Sequence, residues 1–374
     1  MSNNRLSHSS VSRFQRCAKS YEYHYKQGYR SKNMSAALLM GSAVDKACEA
    51  LMKDPSVDAN DIFYAMWSNQ EINKVPTFLP YATNIVYADA DFDAELLLPG
   101  DWQRIKNQMK AQYPTNPPTE EPEAFISKIY GIKGTVGFAN LSEQMKVILN
   151  FANWLCLASK GLLMIEAVKR DFVPNIVEVL SAQEKIELEH EGDSVLGYID
   201  LVARWKGYDK PVVLDFKTSA RKYDEETSVI MSPQLSLYMN AVSDKYENTR
   251  LAGFLVLSKQ IKKNRVKICA KCGNDGSGGR HKTCDKEIEK KRCHGEWKET
   301  LKLEATTQTI IREIPPRTEE IVMENISHIN DAIKNGIFHR NLNACGNNGG
   351  FICEFVKICY QNDYNDVINI NEKT

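Results

Sequence analysis

The sequence predicts an α/β fold, and three stretches predict it. Residues 195–205 (VLGYIDLVARW) and 211–219 (PVVLDFKTS) are rich in Val, Ile, Leu and aromatic residues, and the turn-like 206–210 separates them, so both read as β-strands. Residues 228–243, which contain PQLSLYMNA, read as a helix, and 251–257 as the next apolar strand. Everything else in the chain is arranged around this block.

Taken in order, residues 10–27 predict a helix, with Phe14, Cys17, Tyr21 and Tyr25 recurring on one face. An aromatic stripe packing on the core explains the tyrosines as well as a functional role does. Residues 40–52 predict a second helix whose apolar face is Val44, Cys48 and Leu51. Asp45 and Glu49 are four apart and share a neighbouring face, where either could reach a metal or simply form an exposed acidic stripe. From 54 to about 160 the chain is mixed and mostly helical, with helical period at 62–66 and 145–157. The proline-rich 113–122 reads as an exposed connection. Residues 164–172 and 176–189 look strand-forming, with Glu166 and Glu187 as acidic residues near the central block. Residues 306–314 alternate like a strand, and 318–335 form an amphipathic helix after a double proline.

A chain of 374 residues holds two or three domains, or one core with insertions. No run of eighteen apolar residues occurs, so no membrane partner is expected. The start, MSNNRLSHSS, lacks a basic-then-apolar leader pattern, so a cytoplasmic location is expected. Lys+Arg and Asp+Glu balance at 48 each, which gives no support to nucleic-acid binding but leaves room for a local basic groove. The densest basic stretch, 259–267 (KQIKKNRVK), is either a solvated surface run or a phosphate contact. Ten cysteines in a cytoplasmic chain point to metal sites before disulfides, with Cys48 and Cys156 read as plain core residues.

Side chains alternate along a strand, so Asp215 and Lys217 share a face. Asp200 interrupts the apolar run of the preceding strand, with Ile199 and Leu201 on the opposite face. If the strands pair, two carboxylates and an ammonium converge at a sheet edge. Buried carboxylates need a positive partner, and hard oxygen donors suit Mg²⁺ or Mn²⁺. Lys217 would orient or deprotonate the attacking water, or stabilise charge on a phosphate. The plainer alternative is a strand-end Asp200 and a surface Asp215–Lys217 pair.

The ordered set Gly41-x-x-x-Asp45, Gly197-x-x-Asp200, Asp215-x-Lys217 and Gln234-x-x-x-Tyr238 resembles the RecB-like branch of the PD-(D/E)XK nucleases. That branch includes the AddB nuclease domain, the CRISPR-associated spacer-acquisition exonucleases and related phage exonucleases. The resemblance covers roughly the first fifty residues and then about Glu166 to the end. It implies a restriction-endonuclease-like αβββαβ core, a Mg²⁺-dependent phosphodiesterase and a DNA substrate. Asp200 and Asp215 would hold the metal with Asp45 assisting, and Gln234 and Tyr238 would order the site or contact DNA. The family commonly has His where this chain has Asp45.

Two cysteine sets stand apart. Cys269-x-x-Cys272, Cys284 and Cys293 lie in a polar, glycine-rich segment and can close a tetrahedral Zn²⁺ site, with His281 and His294 as alternative ligands. Cys17 lies in Ser-x-x-x-x-Phe-x-x-Cys-x-x-x-Tyr, similar to the N-terminal segment of AddB-like nucleases, where that cysteine is a cluster ligand. The family's tail pattern is C-x₂-C-x₅-C. Here Cys353 and Cys359 keep the second half, but seven residues separate Cys345 from Cys353. A [4Fe–4S] cluster on Cys17, Cys345, Cys353 and Cys359 is the expectation, with zinc or four plain thiols as alternatives.

The expected organisation is therefore N-terminal nuclease helices (1–53), a helical insertion over the cleft (54–160), the nuclease core (161–263), a zinc-ribbon-like insertion (264–299) and a C-terminal part with the cysteine-rich tail (300–374). The expected activity is that of an exonuclease serving phage or bacterial DNA recombination or repair, in the host cytoplasm if phage-encoded. A recombinase, helicase or single-strand-binding protein would be its partner. A structure-specific endonuclease, or a DNA-binding module with an inactive core, are the alternatives.

Overall fold

A computed structural model describes residues 5–68, 84–87, 92–137, 140–190, 193–276, 283–284, 286–288, 291–346 and 352–372. The short strand β1 (Arg5–Ser7) leads into α1 (His8–Arg16), where the Ser7 hydroxyl accepts from the Ser10 amide at 3.1 Å and caps the first turn. The single helix expected over 10–27 is broken. Cys17 is extended (φ −164°, ψ 109°), α2 (Ala18–Tyr21) is one turn, and the chain then widens into a π turn, Glu22–Lys26. The break is made from outside: the Lys19 amide donates to the His339 carbonyl at 3.0 Å, and the Asn341 amide approaches Cys17 Sγ at 3.5 Å. Phe14 and Tyr21 are buried and Tyr25 is exposed, so most of the aromatic stripe is core.

After the short β2 (Tyr29–Ser31) and β3 (Asn33–Ser35) comes α3 (Ala36–Lys53), which buries Leu39, Met40, Ala43, Val44, Ala47, Cys48 and Leu51. A helical region follows: α4 (Ala59–Ser68), then β4 (Asn84–Val86) pairing with β3, then α5 (Pro99–Gln112), α6 (Pro122–Val136) and α7 (Glu143–Asp171). The strand expected at 164–172 is instead the last third of α7. Nothing between the Ser142 cap and Asp171 breaks a helix, and Met164, Ile165, Ala167 and Val168 continue its buried face. A short apolar run cannot be assigned to helix or strand by periodicity alone. The first half of α7 packs with α5 and α6, and its second half with α3 and the sheet, so the expected boundary at 160/161 falls inside one continuous helix. By length and composition α7 could also cross a membrane, but its apolar residues supply two interior cores.

The central sheet is mixed. It contains β5 (Ile176–His190), β6 (Asp193–Trp205), β7 (Val212–Ser219), β8 (Leu251–Cys269) and β11 (Trp297–Glu313), in the order β1–β6–β7–β8–β11 with β5 also on β6. β5, β6 and β7 form an antiparallel meander, and α8 (Pro233–Val242) crosses over to make β8 parallel to β7. Together with α3 this is the αβββαβ core. The helix expected from 228 starts at Pro233, because Ser232 caps it and Pro233 fits the first helical position. α3, α4 and α7 cover one face of the sheet, and α8 covers the other.

β8 and β11 extend well past the predicted strands as one long antiparallel hairpin, with the 263/264 boundary inside β8. At its far end lies the cysteine segment, with β9 (Glu287–Ile288) paired to β10 (Lys291–Arg292). α9 (Pro316–Lys334) packs on α1 and α8. The tail ends with α10 (Val356–Gln361) and β12 (Val367–Asn369), which pairs with β2. Gly253 sits where β8 meets β11. A Cβ there would lie 2.4 Å from the Ile310 carbonyl oxygen and 2.9 Å from Ile311 Cγ1. Gly253→Ala should therefore cost about 1–3 kcal/mol, read as a lower urea midpoint with an unchanged slope. A variant as stable as the wild type would show that this strand pair can spread without cost.

Candidate active site

The site forms at a fork in the sheet. The β6–β7 ladder has only the pairs Leu201–Leu214, Val202–Val213 and Ala203–Val212, and further back β6 pairs with β1 instead, at Ser194–Leu196. Asp200 stands at the point of separation. Its Oδ2 accepts from the Phe216 amide at 2.8 Å, replacing the backbone partner that the fork removes. The converging carboxylates are thus inside the sheet, not at the edge expected from the sequence. Nor do Ile199 and Leu201 share a face. Ile199 packs on the α8 side and Leu201 on the α3 side, so strict alternation fails at Asp200. The irregularity is shared by the neighbouring strand, where Gln183 has φ 56° and donates from Nε2 to Asp200 Oδ1 at 3.2 Å. Sequence reasoning missed Gln183, and no local signal in β5 marks it.

Asp215 is 1% exposed. Its Oδ1 accepts from Gln234 Nε2 at 2.8 Å. Its Oδ2 lies 2.5 Å from Lys217 Nζ, an ion pair that serves the second carboxylate oxygen. Gln234 Oε1 accepts from Lys217 Nζ at 2.8 Å, and its Nε2 also donates to Tyr238 Oη at 2.6 Å. One amide therefore fixes the carboxylate, the ammonium and the phenol together, and only one amide orientation satisfies all three. Tyr238 in turn rests against β6 at Gly197, where a Cβ would sit 3.4 Å from its ring and 3.2 Å from Ile186.

Burial is the first cause that raises the carboxyls of all three acids. Asp215 is pushed up to about 7, with Lys217 opposing and Asp200 adding to the rise. Asp200 is raised by burial against the pull of the Phe216 amide and Lys217. Asp45 is open to solvent at the rim, but the surrounding protein and then Asp200 push it up to about 6, with Lys46 opposing. Asp45 thus reaches the fork from the α3 side while Asp215 faces α8. The three carboxylates are coupled but do not converge as tightly as the thiolates described below. The donor set is the hard oxygen of three carboxylates, which fits a divalent cation such as Mg²⁺ or Mn²⁺. Glu166 is exposed and paired with Lys169, and Glu187 is exposed and paired with Lys185, so neither completes the set. Above Lys217 and Gln234 an open cleft of about 390 Å³ is walled by His8, Ser12, Arg13 and Arg16 of α1.

The two cysteine sets are each brought together. Sγ atoms of Cys269, Cys272, Cys284 and Cys293 all lie within 4.8 Å of one another, with Cys269–Cys293 and Cys272–Cys284 both at 3.6 Å. Four thiolates about 2.3 Å from one zinc ion would be spaced almost as closely. Gly295 permits this, since a Cβ there would lie 2.4 Å from Cys269 Sγ. His294 is exposed beside the cluster, and His281 lies outside the described residues. Cys17, Cys345, Cys353 and Cys359 line one small cavity with Arg340 and Tyr360. In the basic run 259–267, Lys263 is held by Asp93 and Glu95, while Lys262, Arg265 and Lys267 are exposed.

The raised acids have a definite signature in metal-free protein. Between about pH 4 and 7 the folded state keeps a proton on Asp215 that the unfolded chain has lost. The stability this acid contributes is thus full below about pH 4 and falls as pH rises through 7. His8 and His24, pushed down by burial to about 4 and about 3, act oppositely, losing stability as pH falls below about 6.5. The difference between wild type and Asp215→Asn cancels them. In EDTA, wild-type stability relative to that variant should fall by about 2–4 kcal/mol from pH 4 to pH 7. A flat difference in urea titrations would rule out a raised Asp215.

Comparison with known proteins adds the following. The family model described as the PD-(D/E)XK nuclease superfamily matches residues 147–360. No curated protein matches the chain. A solved structure from Eubacterium rectale, provisionally assigned as an exonuclease, is 12% identical and aligns over 91% of this chain and 85% of its own, with a TM-score of 0.38. Another, of SSO0001, is 11% identical over 61% of this chain and 83% of its own, with a TM-score of 0.23.

Proposed function

The chain belongs to the PD-(D/E)XK nuclease superfamily, and from that premise we propose that it is a divalent-metal-dependent deoxyribonuclease that degrades DNA from an end. The observation that carries the reading is the Asp200–Asp215–Lys217–Gln234 constellation at the fork, two carboxylates joined to one ammonium and one amide. Asp200 and Asp215 would hold the cation, with Asp45 assisting from the rim. When bound there, such an ion polarises the phosphate and lowers the pKa of water. The chain's own residues do the rest. Lys217, steered by Gln234, donates to a phosphate oxygen or orients the attacking water. Gln234 keeps the Asp215 carboxylate turned towards the fork, and Tyr238 keeps Gln234 in that orientation. The α1 wall of the cleft offers hydroxyl and basic side chains to a nucleic-acid backbone. The preference for an end rests on the motif resemblance to RecB-like exonucleases. Recombination or repair of phage or bacterial DNA in the cytoplasm, beside a recombinase, helicase or single-strand-binding protein, is the setting that resemblance suggests.

The cysteine sets belong to the same reading. The ribbon cysteines would bind zinc, which supplies the folding energy of a segment with little apolar core beyond Trp297. The Cys17 set, gathered around one small cavity, suits a [4Fe–4S] cluster of the kind the motif resemblance implies.

Digestion of end-labelled single- and double-stranded DNA with Mg²⁺ or Mn²⁺ tests the enzyme. Asp215→Ala and Lys217→Ala should each lose activity by about 10³-fold or more, with Lys217→Ala still folded. Linear DNA should be consumed while circular DNA survives. Retained digestion by either variant would sink the site assignment, and equal loss of circular DNA the end preference. Oxygen-free purification should yield protein containing zinc, iron and acid-labile sulfide, and Cys284→Ser should remove the zinc alone. Zinc-free wild type would refute the ribbon site, and colourless, iron-free wild type the cluster.

A further inference from the structure

The catalytic face of the sheet does not end at Lys217. Next to it, a second cavity of about 300 Å³ opens on the same face. Its floor is Val256, the β8 residue in register with Lys217, and Gln308, the β11 residue in register with Val256. Its walls are Arg221 and Lys222 from the turn after β7, Lys262 from β8, and the hydroxyl residues Ser258 and Thr307. No acidic side chain lines it. Among the described residues Arg221 and Lys222 make no ion pair, and Lys262 stands opposite Glu304, which Lys302 already holds at 2.7 Å. Glu225 is the nearby carboxylate on the other side, with Oε1 3.4 Å from Gln308 Nε2.

The cationic turn is built rigidly. The Ser219 hydroxyl donates to the Arg221 carbonyl at 2.7 Å and accepts from the Arg221 amide at 3.1 Å. Gln308 then holds Tyr223 as a neighbouring strand would, accepting from its amide at 3.0 Å and donating to its carbonyl at 2.9 Å. The backbone of the turn that carries Arg221 and Lys222 is thereby fixed at a mouth whose spacing from the reacting centre is set by the strand. Ser219, where the turn begins, is two residues beyond Lys217, about 6.6 Å along β7, a step of roughly one nucleotide in an extended strand.

We propose that this cavity is a subsite for the phosphodiester neighbouring the one that reacts, so that the substrate strand runs from α1 across Lys217 to Arg221, Lys222 and Lys262. The proposal rests on the nuclease reading above and names where its substrate lies. A phosphodiester is favoured over a nucleotide ligand because the lining offers cations and hydroxyls but no aromatic ring for a base.

The test is the triple variant R221S/K222S/K262S, with R221K/K222R/K262R as the charge-retaining control. Bis(p-nitrophenyl) phosphate, a minimal diester, reaches only the fork, and a long single-stranded oligonucleotide reaches both. The triple variant should hydrolyse the minimal diester at the wild-type rate while its KM for the oligonucleotide rises about tenfold with kcat nearly unchanged. Its salt slope should flatten by about 0.7 per lost phosphate contact, and the control should restore both. An unchanged KM and slope overturn the subsite, as does an equal loss on the minimal diester. If the wild type hydrolyses neither substrate, the nuclease reading fails. Metal-free oligonucleotide binding by fluorescence anisotropy then decides the subsite separately, and equal affinity of wild type and triple variant overturns it. Calorimetry with inorganic phosphate alone guards against a free-anion site. Tighter binding of phosphate than of the oligonucleotide at these cations overturns the backbone assignment.

Discussion

Asp215 is almost wholly buried in the interior of a mixed sheet, with a second carboxylate on the adjoining strand. A charge so placed is tolerable only where every neighbouring polar group is arranged to meet it. Lys217 on the same strand and Gln234 from the crossover helix supply that arrangement, and Tyr238 and Gly197 keep Gln234 in place. The fold around the site is what this requirement demands. β7 must be central so that its residues are covered. β6 must leave it early so that Asp200 can reach across. α8 must cross on the face that Asp215 and Lys217 share. Remove the buried carboxylate and the fork has no electrostatic purpose.

Much of this was legible because it is local. Asp215, Lys217, Gln234 and Tyr238 act through spacings of two and four residues, which a strand and a helix translate directly into shared faces. The strand–helix–strand crossover was readable for the same reason. The residues that escaped notice act through tertiary geometry. Gln183 matters only because its backbone adopts φ 56° beside Asp200, and nothing in a polar residue amid a long strand announces that. The inversion between Ile199 and Leu201 is hidden because strand alternation in a sequence looks unbroken across Asp200. Met164 to Val168 read as a strand because a short apolar run looks alike in either element, and only the length of α7 resolves it. The break at Cys17 was invisible because its cause lies at His339 and Asn341, more than three hundred residues away.

The ribbon cysteines and the carboxylate fork offer a cation two different settings. The ribbon thiolates already stand at nearly the spacing one zinc ion needs, on a segment with little other core. The carboxylates stand on neighbouring strands of a rigid sheet, below an open cleft. The first arrangement suits a permanent structural ion, and the second suits one that must also accept water and substrate.

The tie between the beginning and the end of the chain has a further consequence, for synthesis. β2 has no strand partner until β12 exists, and α1 completes its apolar bed only when α9 is made. A ribosome delivers these segments after the central sheet. The helix that walls the cleft therefore finishes its packing late, while α3 and the helical region can already pack. The nascent chain acquires its helical shell first and its catalytic cleft only as the final elements emerge.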